Sequence, residues 1–118
     1  MKVSEQAQSK LRALLAEATL LSSRLMECER TSSAAFLPSQ AIGYVVLDVL
    51  SLGAEAFQAA DKDVSYWNDR FEGILYSLCR EVVNSLSLIK EGSQHKLLLE
   101  LKEVTTKIDI WHTKHIAA

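Results

Sequence analysis

Two carboxylates on an otherwise apolar stretch are the first residues to consider for chemistry. Asp48 and Glu55 lie two helical turns apart in residues 41–60, and with Ser51 and Gln58 they recur at steps of three, four and three. Residues at these steps share one narrow face of a helix, called here the polar strip. Acids in a cleft on such a face could have raised pKa values and transfer protons, although about 10 Å along the axis is long for an acid–base pair. We interpret the polar strip either as solvated or as a surface that binds a partner.

The three histidines lie in the last quarter of the chain and are the candidates for metal ligands. Asp109 and His112 are three residues apart, His115 follows three residues later, and His95 lies near the other end of the same predicted helix. Such a set could donate ligands from one helix. A di-iron bundle needs carboxylates from all four helices and two Glu-x-x-His pairs, and the sequence contains no such pair. We therefore expect no metal or cofactor, and we expect His112 and His115 to interact with the negative end of the helix.

Nucleophilic catalysis has no clear sequence signature. Cys28 and Cys79 are far apart, and each falls in an apolar periodic segment, where a free thiol behaves as a small hydrophobic residue. Composition allows a Ser-His-acid or Cys-His arrangement, but no GxSxG motif occurs. We predict that the protein is not an enzyme.

Aromatic and basic residues occur near two predicted helix ends. Tyr66, Trp67 and Arg70 lie near the start of the third helix, and Trp111 and His112 lie near the end of the fourth. These two places meet at the same end of an up-down bundle, where they could form a hot spot for binding a protein. Alternatively, they form the wide end of the core, although Tyr66 and Arg70 lie off the apolar stripe.

The elements that must position these side chains are helices, because the apolar residues recur at steps of three and four. Breaks at TSSAAFLPSQ, at Asp61 to Asp63 and at Gly92 divide the chain into helices at about residues 3–30, 38–60, 64–91 and 94–116. Their similar lengths and short loops predict a single domain over residues 1–118, an all-α antiparallel up-down-up-down four-helix bundle. In the alternative architecture the helices join into a longer hairpin, and two chains complete the bundle.

Several residues near helix ends and centres predict local geometry. Asp63 or Ser65 would cap the third helix, Gly92 would take the left-handed conformation, and Ser93 would cap the fourth helix. Gly73 in the middle of a helix costs about 1 kcal/mol relative to alanine. Its presence predicts the close approach of a neighbouring helix.

The second helix is apolar almost all the way round. One face consists of Ile42, Val45, Val49, Leu52 and Ala56, and the side chains that widen it are Tyr44, Leu47, Leu50, Ala54 and Phe57. The polar strip could therefore be the only part of this helix that contacts water. Two carboxylates in mid-span would each cost roughly 2.5 kcal/mol or more in a bilayer, so we expect no membrane insertion. The surplus apolar surface on the second and fourth helices favours self-association as a dimer.

The net charge and the amino-terminal sequence limit which further partners and which cellular location we expect. The net charge of −2 comes from 13 basic and 15 acidic residues scattered along the chain, with no basic stripe for nucleic acid. The segment MKVSEQAQSK has no apolar core of signal-peptide length, so we expect a reducing cytoplasm. The sequence predicts a non-catalytic helical bundle that binds another protein and self-associates. The alternative is a bundle that binds a small ligand or metal through the polar strip or the histidines of the fourth helix.

Overall fold

The computed structural model describes residues 3–31, 36–59 and 63–116, and these ranges contain helices and no strand. Helix α1 is Glu5–Thr31, and α2 is Phe36–Gln58. Helix α3 consists of three consecutive segments: an α-helical turn Val64–Tyr66, a π-helical segment Trp67–Phe71 and an α-helix Glu72–Leu88. Helix α4 is Ser93–His115. The predicted helices therefore agree with the observed ones within a few residues at each end.

Each helix packs against two neighbours, so that α1, α2, α3 and α4 follow one another around a bundle of 48 × 20 × 20 Å. This arrangement confirms the predicted all-α four-helix bundle, and one chain encloses the core by itself. The indole Nε1 of Trp111, near the end of α4, donates a 2.9 Å hydrogen bond to the carbonyl oxygen of Ala7, near the start of α1. The Tyr66 hydroxyl at the start of α3 donates to Glu55 near the end of α2. Both contacts join the helix ends that an up-down-up-down path brings together.

All four helices contribute buried apolar residues to the core. On α2 all five residues of the predicted core face are buried: Ile42, Val45, Val49, Leu52 and Ala56. On α4, Leu98 and Leu101 are both fully buried. Both face the core because α4 packs against α1 and α3 and therefore buries a wider face than a two-helix seam requires.

The helix caps agree with the sequence in part. The Asp63 side chain caps α3, since its Oδ1 accepts a 3.2 Å hydrogen bond from the backbone N–H of Tyr66. Gly92 has a positive φ of 90° as predicted, but its ψ of −171° is extended and not that of a left-handed helical cap. The prediction that Ser93 caps α4 is wrong. Gly92 is the N-cap residue, and Ser93 is already the first residue of the helix.

Gly73 is exposed, and a Cβ added there would meet no atom within 4 Å, so the predicted close approach of a neighbouring helix is wrong. We expect Gly73→Ala to raise the free energy of unfolding by about 1 kcal/mol, because alanine favours the helix and no atom must move. Chemical denaturation followed by circular dichroism measures this change. Gly92→Ala is the opposite control, since its positive φ makes alanine unfavourable by about 1 kcal/mol. A loss of stability in Gly73→Ala would contradict the open environment described here.

Candidate functional site

Part of the polar strip of α2 lies against α3, and the rest is exposed to solvent. Asp48 and Glu55 are half-buried on the side of α2 that packs against α3, whereas Ser51 and Gln58 are exposed. The Glu55 carboxylate accepts a 2.9 Å hydrogen bond from the Tyr66 hydroxyl, and this bond raises the pKa of Tyr66. The two acids are therefore engaged within the bundle.

Asp48 faces a second carboxyl group that the sequence does not reveal. Asp48 Oδ2 and Glu81 Oε1 are both buried, and neither has a hydrogen-bond donor as a partner in the described ranges. Two ionised carboxylates offer each other no donor, but a proton on Glu81 supplies one. Burial, followed by the hydrogen bond and charge of Asp48, raises the pKa of Glu81 to about 7. The raised pKa favours the neutral form of Glu81, which is the form that can donate a hydrogen bond to Asp48 across the contact between α2 and α3.

The side of α2 that points away from the core is apolar. Leu47 is 60% exposed, Leu50 is 53% exposed and Phe57 is 85% exposed. The prediction that only the polar strip contacts water is therefore wrong. Helices α1 and α3 cover the core face and the acids, because each helix of the bundle has neighbours on two sides only. The side chains that widen the apolar face are left outside.

We call this surface the outward face of α2, and it consists of Gly43, Leu47, Leu50, Ala54 and Phe57. These residues recur at steps of four, three, four and three, the spacing of a coiled-coil seam. Between Gln40 and Gln58 the only charged residues are the two acids of the polar strip, and both turn towards α3. The outward face therefore carries no charge.

Exposed apolar residues on α4 have different surroundings. Leu99 and Ile110 are exposed on α4, but the exposed positions between them include charged residues such as Glu103 and Lys107. Charged side chains interrupt an apolar patch and favour contact with water. In the described part of the chain, α2 is thus the helix with an extended, uncharged apolar face.

The aromatic residues predicted to gather at one end of the bundle do so. The rings of Trp67 and Trp111 lie 6.0 Å apart, and His112 is stacked on Phe71 at 5.7 Å. Trp67, Trp111 and His112 are buried, as in the interpretation of this cluster as core. Of the other predicted partner-binding residues at this end, Tyr66 is half-buried and Arg70 is exposed, with its guanidinium carbon 5.9 Å from the centre of the Tyr66 ring.

A π-helical segment positions the aromatic residues of α3, and no feature of the sequence indicates it. Trp67 and Phe71, the first and last residues of this segment, are both buried, and their rings are 5.7 Å apart. The wider turn of a π-helix lets two large residues four positions apart face the core together. Such segments are frequent at functional sites.

A pocket of about 290 Å³ between α3 and α4 brings together Glu72, Cys79, Asp109 and His112. Burial lowers the pKa of His112, while Glu72 and Asp109 oppose this shift. Burial and the nearby Asp109 raise the pKa of the Cys79 thiol, so it is protonated near neutral pH. The arrangement resembles a Cys-His pair by composition but lacks an activated thiolate. The sequence does not indicate this pocket, because its residues come from two helices and are far apart along the chain.

The histidines of α4 are placed separately. His115 packs on Trp111 with the ring centres 5.3 Å apart, and His95 Nδ1 lies 2.9 Å from the carbonyl oxygen of Ile89. In the described ranges no three His, Cys, Asp or Glu side chains form a group that could hold a metal ion.

No family model matches the chain, and neither a curated protein nor a solved structure is similar to it. Its function must therefore be argued from its own surfaces and side chains.

The segment Gln40–Gln58 of α2 is long and apolar enough to cross a membrane. Core helices of soluble proteins can be equally long and apolar. In this chain α2 packs against α1 and α3, and its two acids are engaged with α3. The length and apolar composition of α2 are therefore only weak evidence for a membrane span.

Proposed function

We propose that the chain is a non-catalytic helical interaction module that self-associates as a dimer through the outward face of α2. The observation that carries this proposal is the uncharged apolar seam on that face, which no helix in the described ranges covers. A surface that is apolar and uncharged is complementary to itself, because a second copy introduces neither repulsion nor a buried unpaired charge.

The exposed area fits a dimer interface. Leu47, Leu50 and Phe57 are each exposed by half or more, which corresponds to on the order of 400 Å² of apolar surface. A standard interface buries about 800 Å² per partner, and about 65% of a homodimer interface is apolar. These three side chains therefore supply most of the apolar area that one partner would bury.

The residue order also supports the packing of two α2 helices. Leu47 and Leu50 lie at the centre of the seam, with the small residues Gly43 and Ala54 on either side. A Cβ on Gly43 would meet no atom within 4 Å, so packing within one chain does not require a glycine there. Small residues beside the leucines would let the backbone of a second helix approach closely.

Two further observations bear on the chemistry and location of the module. The protonated Cys79 thiol, next to a His112 with a lowered pKa, offers no activated nucleophile. This supports a non-catalytic role. Cys28 and Cys79 are half-buried, and neither forms a disulfide bond with a described residue. Free thiols are usual in a reducing cytoplasm, where we place the protein.

Two measurements test the proposal. One is the mass of the protein in solution, and the other is the change in the dimer dissociation constant when a charged residue is introduced into the seam. Sedimentation equilibrium of the 13.1 kDa chain should show a reversible dimer. We expect Leu50→Glu to raise the dimer dissociation constant roughly 100-fold or more, because the dimer would bury an unpaired carboxylate. Circular dichroism should show unchanged helicity, since Leu50 is exposed in a single chain.

Val83→Glu is the matched control, because Val83 is a 52% exposed apolar residue on α3, away from the seam. This variant should dimerise like the parent protein. A parent protein that stays monomeric at all concentrations overturns the proposal. So does binding of the monomer to phospholipid vesicles that Leu50→Glu abolishes, since the outward face would then contact a membrane.

A further inference from the structure

We propose that the groove between α1 and α2 binds a small apolar molecule with one carboxylate, held by the Arg12 guanidinium and the Trp67 indole N–H. The groove has a volume of about 440 Å³, within the range of small-molecule sites. This site is separate from the seam proposed for dimerisation, although Phe57 borders both.

The lining of the groove is suited to an apolar body. Leu11, Leu15 and Ala56 are buried residues in its wall, and Phe57 stands 85% exposed at its edge. Apolar lining with few polar groups is typical of sites for small organic ligands, in which the polar groups fix the orientation of the ligand.

Two hydrogen-bond donors, the Trp67 indole N–H and the Arg12 guanidinium, favour an anionic ligand in the groove. Trp67 lines the groove and is 1% exposed, and its Nε1 is buried without a hydrogen-bond partner in the described ranges. A buried N–H without an acceptor is unfavourable, so an acceptor on a ligand would gain the full hydrogen bond. Its neighbour Trp111, by contrast, donates to the backbone of α1.

Arg12 is the charged group of the groove. It is exposed on α1, lines the same cavity, and has no ion pair with another described residue. A guanidinium binds a carboxylate with two parallel hydrogen bonds. Since no acid lines this groove, the charge complement is an anion supplied by the ligand.

The test uses octanoate as the probe and octanol as its uncharged analogue, with the intact chain. In ¹H–¹⁵N spectra we expect octanoate to shift the indole N–H resonance of Trp67 in a saturable way, with Trp67→Phe assigning that resonance. Octanol should bind at least 10-fold more weakly, because it leaves the guanidinium without a partner.

Arg12→Gln should weaken octanoate binding at least 10-fold, and Arg24→Gln, a change of the same kind on α1 outside the groove, should leave it unchanged. Equal binding of octanol and octanoate, equal effects of the two arginine variants, or an unmoved Trp67 indole resonance would each overturn the site. The same titration on the Leu50→Glu variant measures the groove in the monomer, because Leu50 does not line it. Octanoate should bind to this variant even if the parent protein does not dimerise, so failure of the dimer and failure of the groove are distinguished.

Discussion

Replacing Phe71 by alanine should lower the free energy of unfolding by about 3 to 5 kcal/mol, the largest effect expected from a single substitution. Phe71 is fully buried. Its ring lies 5.7 Å from Trp67, 5.9 Å from Trp111 and 5.7 Å from His112, on which it stacks. Alanine removes these ring contacts with residues of both α3 and α4. It also leaves a cavity, which the π-helical segment cannot easily close because it packs against the core. Urea denaturation followed by circular dichroism measures the loss.

Phe57→Ala is the matched control, because it makes the same change at a phenylalanine that is 85% exposed. Its effect on the unfolding of a single chain should stay within about 0.5 kcal/mol. Both substitutions are best made in the Leu50→Glu background, so that dissociation of a dimer does not add to unfolding. Comparable losses at the two positions would show that Phe71 is not the centre of the aromatic cluster.

The difference between these phenylalanines also shows how much of the fold the sequence could predict. Phe71 belongs to a stripe at helical spacing, and Phe57 was placed among the residues that widen the core face of α2. Spacing separated the core from its surroundings correctly, since the predicted core face of α2 is buried throughout. Apolar periodicity reports which residues share a face, and the most regular face is the one that packs inside.

The sequence did not predict what lies outside the core. The polar strip was expected to be the solvated side of α2, but which side faces a neighbour depends on the order of helices around the bundle. That order places Asp48 and Glu55 against α3 and leaves Leu47 and Leu50 exposed. Residues on different helices, such as Asp48 and Glu81, have no local sequence signal that pairs them. The same holds for Arg12 and Trp67 in the groove.

Local backbone geometry was predicted where one residue determines it. The side chain of Asp63 caps α3, and Gly92 has a positive φ, because few other residues serve these purposes. The π-helical segment depends on tertiary packing of two large aromatic rings, and no single residue type indicates it. The prediction that a neighbouring helix approaches Gly73 closely is wrong, since a Cβ there would meet no atom within 4 Å.

The carboxyl pair between α2 and α3 should make the stability of the fold depend on pH near neutrality. In the folded chain the pKa of Glu81 is raised from 4.5 to about 7 by burial and by Asp48, whereas the unfolded chain releases this proton near its ordinary pKa. Between these values the folded state binds more protons, so the free energy of unfolding falls as the pH rises through this window. We expect a loss of about 1 to 2 kcal/mol, smaller than a fully buried pair would show because solvent reaches the site.

Glu81→Gln isolates this contribution, because the amide keeps the size of the side chain, donates a hydrogen bond to Asp48 and does not titrate. Relative to the parent chain, the variant should gain stability steadily between about pH 5 and about pH 8, with the difference largest at the alkaline end. Urea denaturation over this range measures it. Glu91→Gln, at an exposed position in the connection between α3 and α4, should follow the parent profile at every pH. If the Glu81→Gln profile also runs parallel to that of the parent, the two carboxyls do not share a proton, and Asp48 is as solvated as its place in the polar strip first suggested.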